Sequence, residues 1–429
     1  MKTREQVIRS NARKREFRWT ARGAIKAILI TILVLILLAV AICSVFFVLH
    51  NSKTQKELVT LEMNKMYQIY EVDDINTNIH VRKGVNAKHT IVSIADIGDH
   101  TFGVYTNMIF EEVRDDVTIV NIDRPGYGMS DDTNKERTVE NVIEHYRASL
   151  KEVNIEEPVI LFTYGFGSVY ATEWANQYPD EIKAIVHING TILTEDNEDI
   201  EAYQMTKKDT LYALGNKIGI QRLFYKEWFK DMHRVLSHDE EQCVKIFNTH
   251  SAKTFAQYSE MVLKEENFKT VVENWEKNDI PTFYIATDKV MEQDEDVAAY
   301  VEFMNALSTA KDEPPFYNGG GGADYDKFIA EMIEDSETYQ TTVLKPYIEM
   351  YGTAQIIKIP GYEQIYKQKP IAMDNFAKDF VKWLNEDVSV MNSRYENEFP
   401  KPQQAEKPED TPATEPTTNT EPTGENHSN

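Results

Sequence analysis

Val159-Ile160-Leu161-Phe162-Thr163-Tyr164-Gly165-Phe166-Gly167-Ser168 is the stretch on which the fold turns. Its first residues are apolar, β-branched or aromatic, and two glycines then break the run, so it reads as a buried strand entering a tight turn. A helix follows and stops at Gln177-Tyr178-Pro179, where a proline cannot continue it. Similar short runs flank it at Thr90 to Ile94, Val117 to Ile122, Ala184 to Ile188, Thr282 to Ala286 and Ile356 to Ile359. Between them Val139, Val142, Ile143, Tyr146 and Leu150 fall at helical spacing, as do Phe376, Phe380, Val381 and Leu384. Strands alternating with helices predict an α/β domain, a mostly parallel sheet covered on both faces. From about Thr191 to Asp279 the rhythm gives way to a largely helical stretch rich in aromatics, including Tyr203, Tyr212, Phe224, Tyr225, Trp228 and Phe229.

Two further segments fix the comparison. Asp123-Arg124-Pro125-Gly126-Tyr127-Gly128-Met129-Ser130-Asp131 follows a buried strand, and Ile356-Ile357-Lys358-Ile359-Pro360-Gly361-Tyr362 precedes a helix. Taken in order with the first stretch, they resemble the α/β-hydrolase superfamily: its D-x-P-G-x-G-x-S turn, its strand, nucleophile elbow and helix, and its last strand with the loop that carries histidine. The resemblance implies a core of residues 65–190 and 280–390, with a helical lid over 191–279.

It also implies a catalytic triad, and here the chain departs from the pattern. The elbow is G-x-S-x-G, with the nucleophile on a strained turn; this chain reads Thr163-Tyr164-Gly165-Phe166-Gly167, which leaves glycine at the nucleophile position. Glycine adopts that turn at little cost. Ser168 lies three residues on, in the first helical turn, and reads as a packing or capping residue. After His250 the next histidine is His427, so the loop that should supply the base offers Gly361-Tyr362 instead. A tyrosine titrating near 10 is a poor base at neutral pH. The acid position falls on Asp288, equally readable as a solvated turn residue. The oxyanion loop reads Ala95-Asp96-Ile97-Gly98 where the family has His-Gly, and amides at Ile97, Gly98 and Phe166 are the candidates for a residual anion notch. No cofactor is expected. No metal is expected either: His233, His238, Asp239, Cys243 and His250 match no tetrahedral spacing, and Glu292 to Asp296 lacks the spaced ligands and glycine of a calcium loop.

The ends of the chain carry separate information. Residues 27–49 hold no charged side chain over 23 positions, enough helix to cross a bilayer. Ala39-Val40-Ala41 offers a signal-peptidase site, but the apolar run continues to Leu49, beyond the core of a signal peptide. Cys43 follows a bulky Ile42 and makes a poor lipid-attachment site. Nine Lys and Arg against two Glu give residues 1–26 a charge of +7, so the basic segment belongs in the cytoplasm and the main domain outside a cell membrane. With −24 overall, everything after residue 50 is −31, a charge that excludes nucleic acid as a partner of the soluble part. The two cysteines, Cys43 and Cys243, cannot staple that part internally. Residues 50–64 read as a linker. Residues 396–429, rich in Pro, Thr and Glu, read as a disordered tail, and Pro314-Pro315 with Gly319 to Gly322 as a loop. Three functions compete: a non-catalytic domain binding a small molecule, lipid, peptide or envelope component; a hydrolase with rebuilt machinery; and a structural envelope protein.

Overall fold

A computed structural model describes residues 21–194, 197, 200–223, 236–287, 289–310, 313–319, 322–351, 354–362, 364–367 and 370–395. The expectations for residues 1–20, for the tail from 396 and for Asp288 lie outside them, as do those for His233 and for the aromatics from Phe224 to Phe229.

Eight strands form one sheet: β1 (Ile69–Val72), β2 (Ile75–Arg82), β3 (His89–Ile94), β4 (Val117–Ile122), β5 (Val159–Tyr164), β6 (Ile182–Ile188), β7 (Thr282–Ala286) and β8 (Ala354–Lys358), in the order β1-β2-β4-β3-β5-β6-β7-β8. β1–β2 and β2–β4 are antiparallel, and every other pair is parallel. This order, with its single reversed strand next to β4, is that of the α/β-hydrolase fold. The β1–β2 hairpin was not anticipated. Its turn, Asp73-Asp74, has both residues at positive φ, +49° and +63°, a primed turn built without the usual glycine.

β3, β4 and β5 are buried along their whole length, as strands covered on both faces must be. On one face lie α2 (Phe102–Ile109) and α11 (Pro370–Leu384); on the other, α3 (Val139–Glu152), α4 (Gly167–Gln177) and α10 (Lys345–Tyr351). The insertion after β6 contains α5 (Lys207–Asn216), α6 (His238–His250) and α7 (Phe255–Asn274). Their starts are set by side-chain caps: capping boxes at Thr206/Asp209 and Ser237/Glu240, and Thr254 Oγ1 accepting from the Gln257 amide. A second excursion, unforeseen within 280–390, carries α8 (Asp294–Ala310) and α9 (Ala323–Tyr339) between β7 and β8. It has its own small core of Met291, Val297, Val301 and Ile329, and residues 313–319 form the loop between its helices.

The expected linker at 50–64 is instead helix. One helix, α1, runs from Ala21 to Met63, and its N-terminal part is long and apolar enough to cross a membrane. Nothing in Asn51 to Met63 breaks it, for there is no Gly or Pro, and Leu58 and Leu61 turn toward the core, Leu61 fully buried. The lid holds the same stretch. Arg222 pairs with Glu57 at 2.6 and 2.7 Å and donates through Nε to His50 Nδ1 at 3.0 Å, while the His50 and His250 rings stack at 5.8 Å. The apolar helix therefore enters the domain without a break in its backbone.

Candidate functional site

At the end of β5 the chain turns sharply through Gly165, φ +55°, into α4. Gly167 permits the turn to press against the sheet, since a Cβ there would stand 2.3 Å from the Ile94 carbonyl oxygen. Ser168 locks the turn from within: its hydroxyl donates to the Gly165 carbonyl at 2.8 Å and accepts from the Thr191 amide at 2.8 Å. It is buried and fully engaged.

The decisive contact comes from the loop after β3. The Asp96 carboxylate accepts from its neighbour's amide, Ile97 N, at 2.8 Å and from Phe166 N at 2.9 Å. These are two of the three amides named as an anion notch, and a carboxylate of the chain itself occupies them. The third, Gly98 N, donates to the Tyr127 hydroxyl at 3.1 Å and takes no part. Asp96 also stands where an elbow side chain would begin, for a Cβ built on Gly165 falls 2.6 Å from its Cγ. The structure thus brings Gly165, Ile97 and Phe166 together around Asp96. Tyr362 is not among the residues that line the space above them: its ring packs on Phe303, centroids 4.7 Å apart, and its carbonyl accepts from Thr287 Oγ1 at 3.1 Å.

Asp96 is held in place from the sequence motif that identified the fold. Arg124 donates through Nη1 to the Ala95 carbonyl at 2.8 Å and through Nη2 to the Asp96 carbonyl at 3.1 Å. The same guanidinium makes two 3.1 Å bonds to Glu260 on α7, and Tyr127 Oη donates to Glu260 at 2.7 Å. Arg137 approaches the same carboxylate at 3.8 Å. Burial alone would weaken both cations; the Glu260 charge opposes this, and Arg124 ends held well above its ordinary range while burial keeps Arg137 below it. Core and lid are therefore joined by a buried ionic knot next to the elbow. Neither Glu260 nor the filling role of Asp96 carries a local sequence signal.

Above the elbow is a cavity of about 300 Å³, lined by Asp96, Gly165 and Phe166 on its floor, by Asn189, Thr191 and Asn197, and by Lys264 and Lys289. Among the described residues, no histidine, serine or cysteine lines it. The buried histidines lie elsewhere and are pushed toward the neutral form by desolvation: His187, on β6, to about 3, and His100, bonded to Ser251, to about 4. Cys243 is buried inside the lid, and no group of three His, Cys, Asp or Glu side chains suited to a metal occurs among the described residues.

No family model matches the chain. An uncharacterized protein of Bacillus subtilis (strain 168), YbdG, is 27% identical over 140 residues, 33% of this chain and 42% of its own length. An uncharacterized protein of Schizosaccharomyces pombe is 24% identical over 164 residues, 38% and 30% of the two chains. The chain thus spans less than half the length of these curated relatives. Among solved structures, an epoxide hydrolase from Vigna radiata is 15% identical with a TM-score of 0.44, covering 75% of this chain and 99% of that one. A putative lipase from Acinetobacter baumannii is 14% identical with a TM-score of 0.43, covering 80% and 97%.

Proposed function

We propose that the protein is a membrane-anchored α/β-hydrolase-fold domain that has given up catalysis and binds a small polar ligand in the cavity above Gly165. The observation that carries this reading is the Asp96 carboxylate seated on the Ile97 and Phe166 amides beside a glycine elbow. Ester hydrolysis needs a nucleophile at the elbow and free donors for the oxyanion. Here the first is missing and the donors already face a negative charge. An oxyanion brought within 4 Å of that carboxylate would meet repulsion of about 4 kcal/mol at an effective dielectric constant near 20.

What remains suits binding. The cavity is of small-molecule size, and the described residues bring to it a carboxylate, ammonium groups from Lys264 and Lys289, and several amide or hydroxyl groups. Such a lining favours a ligand with both acidic and hydrogen-donating groups over a lipid tail. Full-length protein should show no turnover of activated esters above buffer and no labelling by a fluorophosphonate, which reports an activated serine. Stoichiometric labelling of any serine would overturn the reading.

The basic residues before the apolar run support an orientation with the N-terminus in the cytoplasm and the domain outside, by the positive-inside rule. Protease added to intact cells should then remove the tail after residue 396 and leave residues 1–26 protected. Protection of the tail would reverse the orientation.

A further inference from the structure

Three large apolar side chains of the lid are turned to solvent: Leu211, Leu214 and Leu223, exposed to 69%, 51% and 63%. Leu211 and Leu214 lie three residues apart on α5, hence on one face of the helix. Exposed leucines scattered singly would call for no comment, but the place of these in the molecule is defined. The turn that ends at Leu223 is fastened to α1 through Arg222, which bonds His50, the first residue after the uncharged run of 27–49. Gly219 approaches the same histidine so closely that an added Cβ would stand 2.5 Å from its Nδ1. The C-terminal end of α5 is fastened there too, because Asn216 Nδ2 donates to the His250 and Ala252 carbonyls and the His250 ring stacks on His50.

At 1.5 Å per residue the 23 uncharged positions account for about 34 Å of helix, slightly more than a hydrocarbon core. His50 therefore stands at the level where the helix leaves the bilayer, and the turn ending at Leu223 and the end of α5 stand beside it. Charge agrees with this position. Residues 205–223 carry Lys207, Lys208, Lys217 and Arg222 against Asp209 alone, a basic island in a part of the chain that is otherwise strongly acidic. The three lysines are exposed. Leucines ringed by lysines are the composition of a surface that lies in the headgroup layer of anionic lipid.

We propose that Leu211, Leu214 and Leu223, with Lys207, Lys208 and Lys217, form a bilayer-docking surface, so that the lid rests on the membrane that α1 crosses. This inference rests on the anchoring of α1 in a bilayer. Docking fixes the domain by two attachments, α1 and the lid, and holds the lid that covers the cavity against the lipid surface.

The test uses the full chain with its two cysteines replaced, in nanodiscs of equal parts phosphatidylglycerol and phosphatidylcholine. An environment-sensitive fluorophore is placed by Ile36→Cys, Leu214→Cys or Leu223→Cys in turn. Lipids doxyl-labelled near the headgroup should quench the probes at positions 214 and 223 roughly twofold, and lipids labelled near the tail end should quench the probe at 36. Quenching at 36 without quenching at 214 and 223 overturns the docking surface and leaves the anchor standing. Absence of quenching at 36 overturns the anchor and the docking with it. A blue shift at 214 and 223 that no doxyl lipid quenches assigns the patch to a protein contact and also overturns the proposal. Shallow quenching that weakens in wholly neutral lipid supports the role of the lysines; unchanged quenching there removes it.

Discussion

Glu260→Ala is expected to cost about 3–5 kcal/mol of stability. Glu260 has no exposed surface and faces Arg124 and Arg137, themselves 2% and 1% exposed. Removing the carboxylate leaves two guanidiniums out of water without a counter-charge. Two nitrogens of Arg137 already lack a hydrogen-bond partner, so this cation leans on the Glu260 charge. The damage should reach the site as well, because the guanidinium that Glu260 grips through Nε and Nη2 holds the Ala95 carbonyl through Nη1 and the Asp96 carbonyl through Nη2. Glu260→Gln keeps an acceptor and should fall between wild type and alanine. Replacing all three charged residues by apolar ones of similar volume should cost less than the single alanine, since no buried charge is then left unpaired. Denaturant melts followed by near-ultraviolet circular dichroism would check this series. A Glu260→Ala protein within about 1 kcal/mol of wild type would mean that water reaches the knot.

The sequence made the parallel sheet legible, because runs such as Val117 to Ile122 are apolar on both faces and end in turn residues. It made the empty nucleophile position legible too, since glycine stands at a fixed offset from the strand. What stayed hidden depends on partners far apart in the chain. Asp96 reaches an amide 70 residues away, and Arg124 a carboxylate 136 residues away. No local pattern marks such pairs: Tyr258-Ser259-Glu260-Met261 reads as an ordinary helix turn, and Ala95-Asp96-Ile97-Gly98 shows only that the oxyanion loop is altered. The β1–β2 hairpin was hidden by its turn, in which Asp73-Asp74 does what Asn-Gly usually does. Residues 50–64 read as a linker because their polar residues say nothing of the lid that packs on them. The helical spacing of Leu58 and Leu61 was the available signal.

Gly165→Ser should restore the family's residue and lose stability rather than gain activity. A side chain at φ +55° carries strain of about 1–3 kcal/mol, and its Cβ would lie 2.6 Å from the Asp96 carboxylate carbon, so the loop must also yield. Gly165→Ala should suffer similarly, which separates the backbone and space terms from any effect of the hydroxyl. Adding Asp96→Gly to Gly165→Ser should return part of the loss, because the clash disappears while the strain remains. Hydrolysis is a separate matter. Gly165→Ser with Tyr362→His supplies a nucleophile and an imidazole, yet position 362 packs on Phe303 outside the cavity lining, and Asp96 still holds both amides. This double variant should turn over p-nitrophenyl acetate no faster than buffer. The triple variant that adds Asp96→Gly frees the oxyanion donors, and any activity should first be seen there. Turnover by the double variant would show that the Asp96 carboxylate leaves the amides readily, and the case against catalysis would then rest on the missing nucleophile and histidine alone. A Gly165→Ala protein as stable as wild type would remove both the strained turn and the contact with Asp96 from the site.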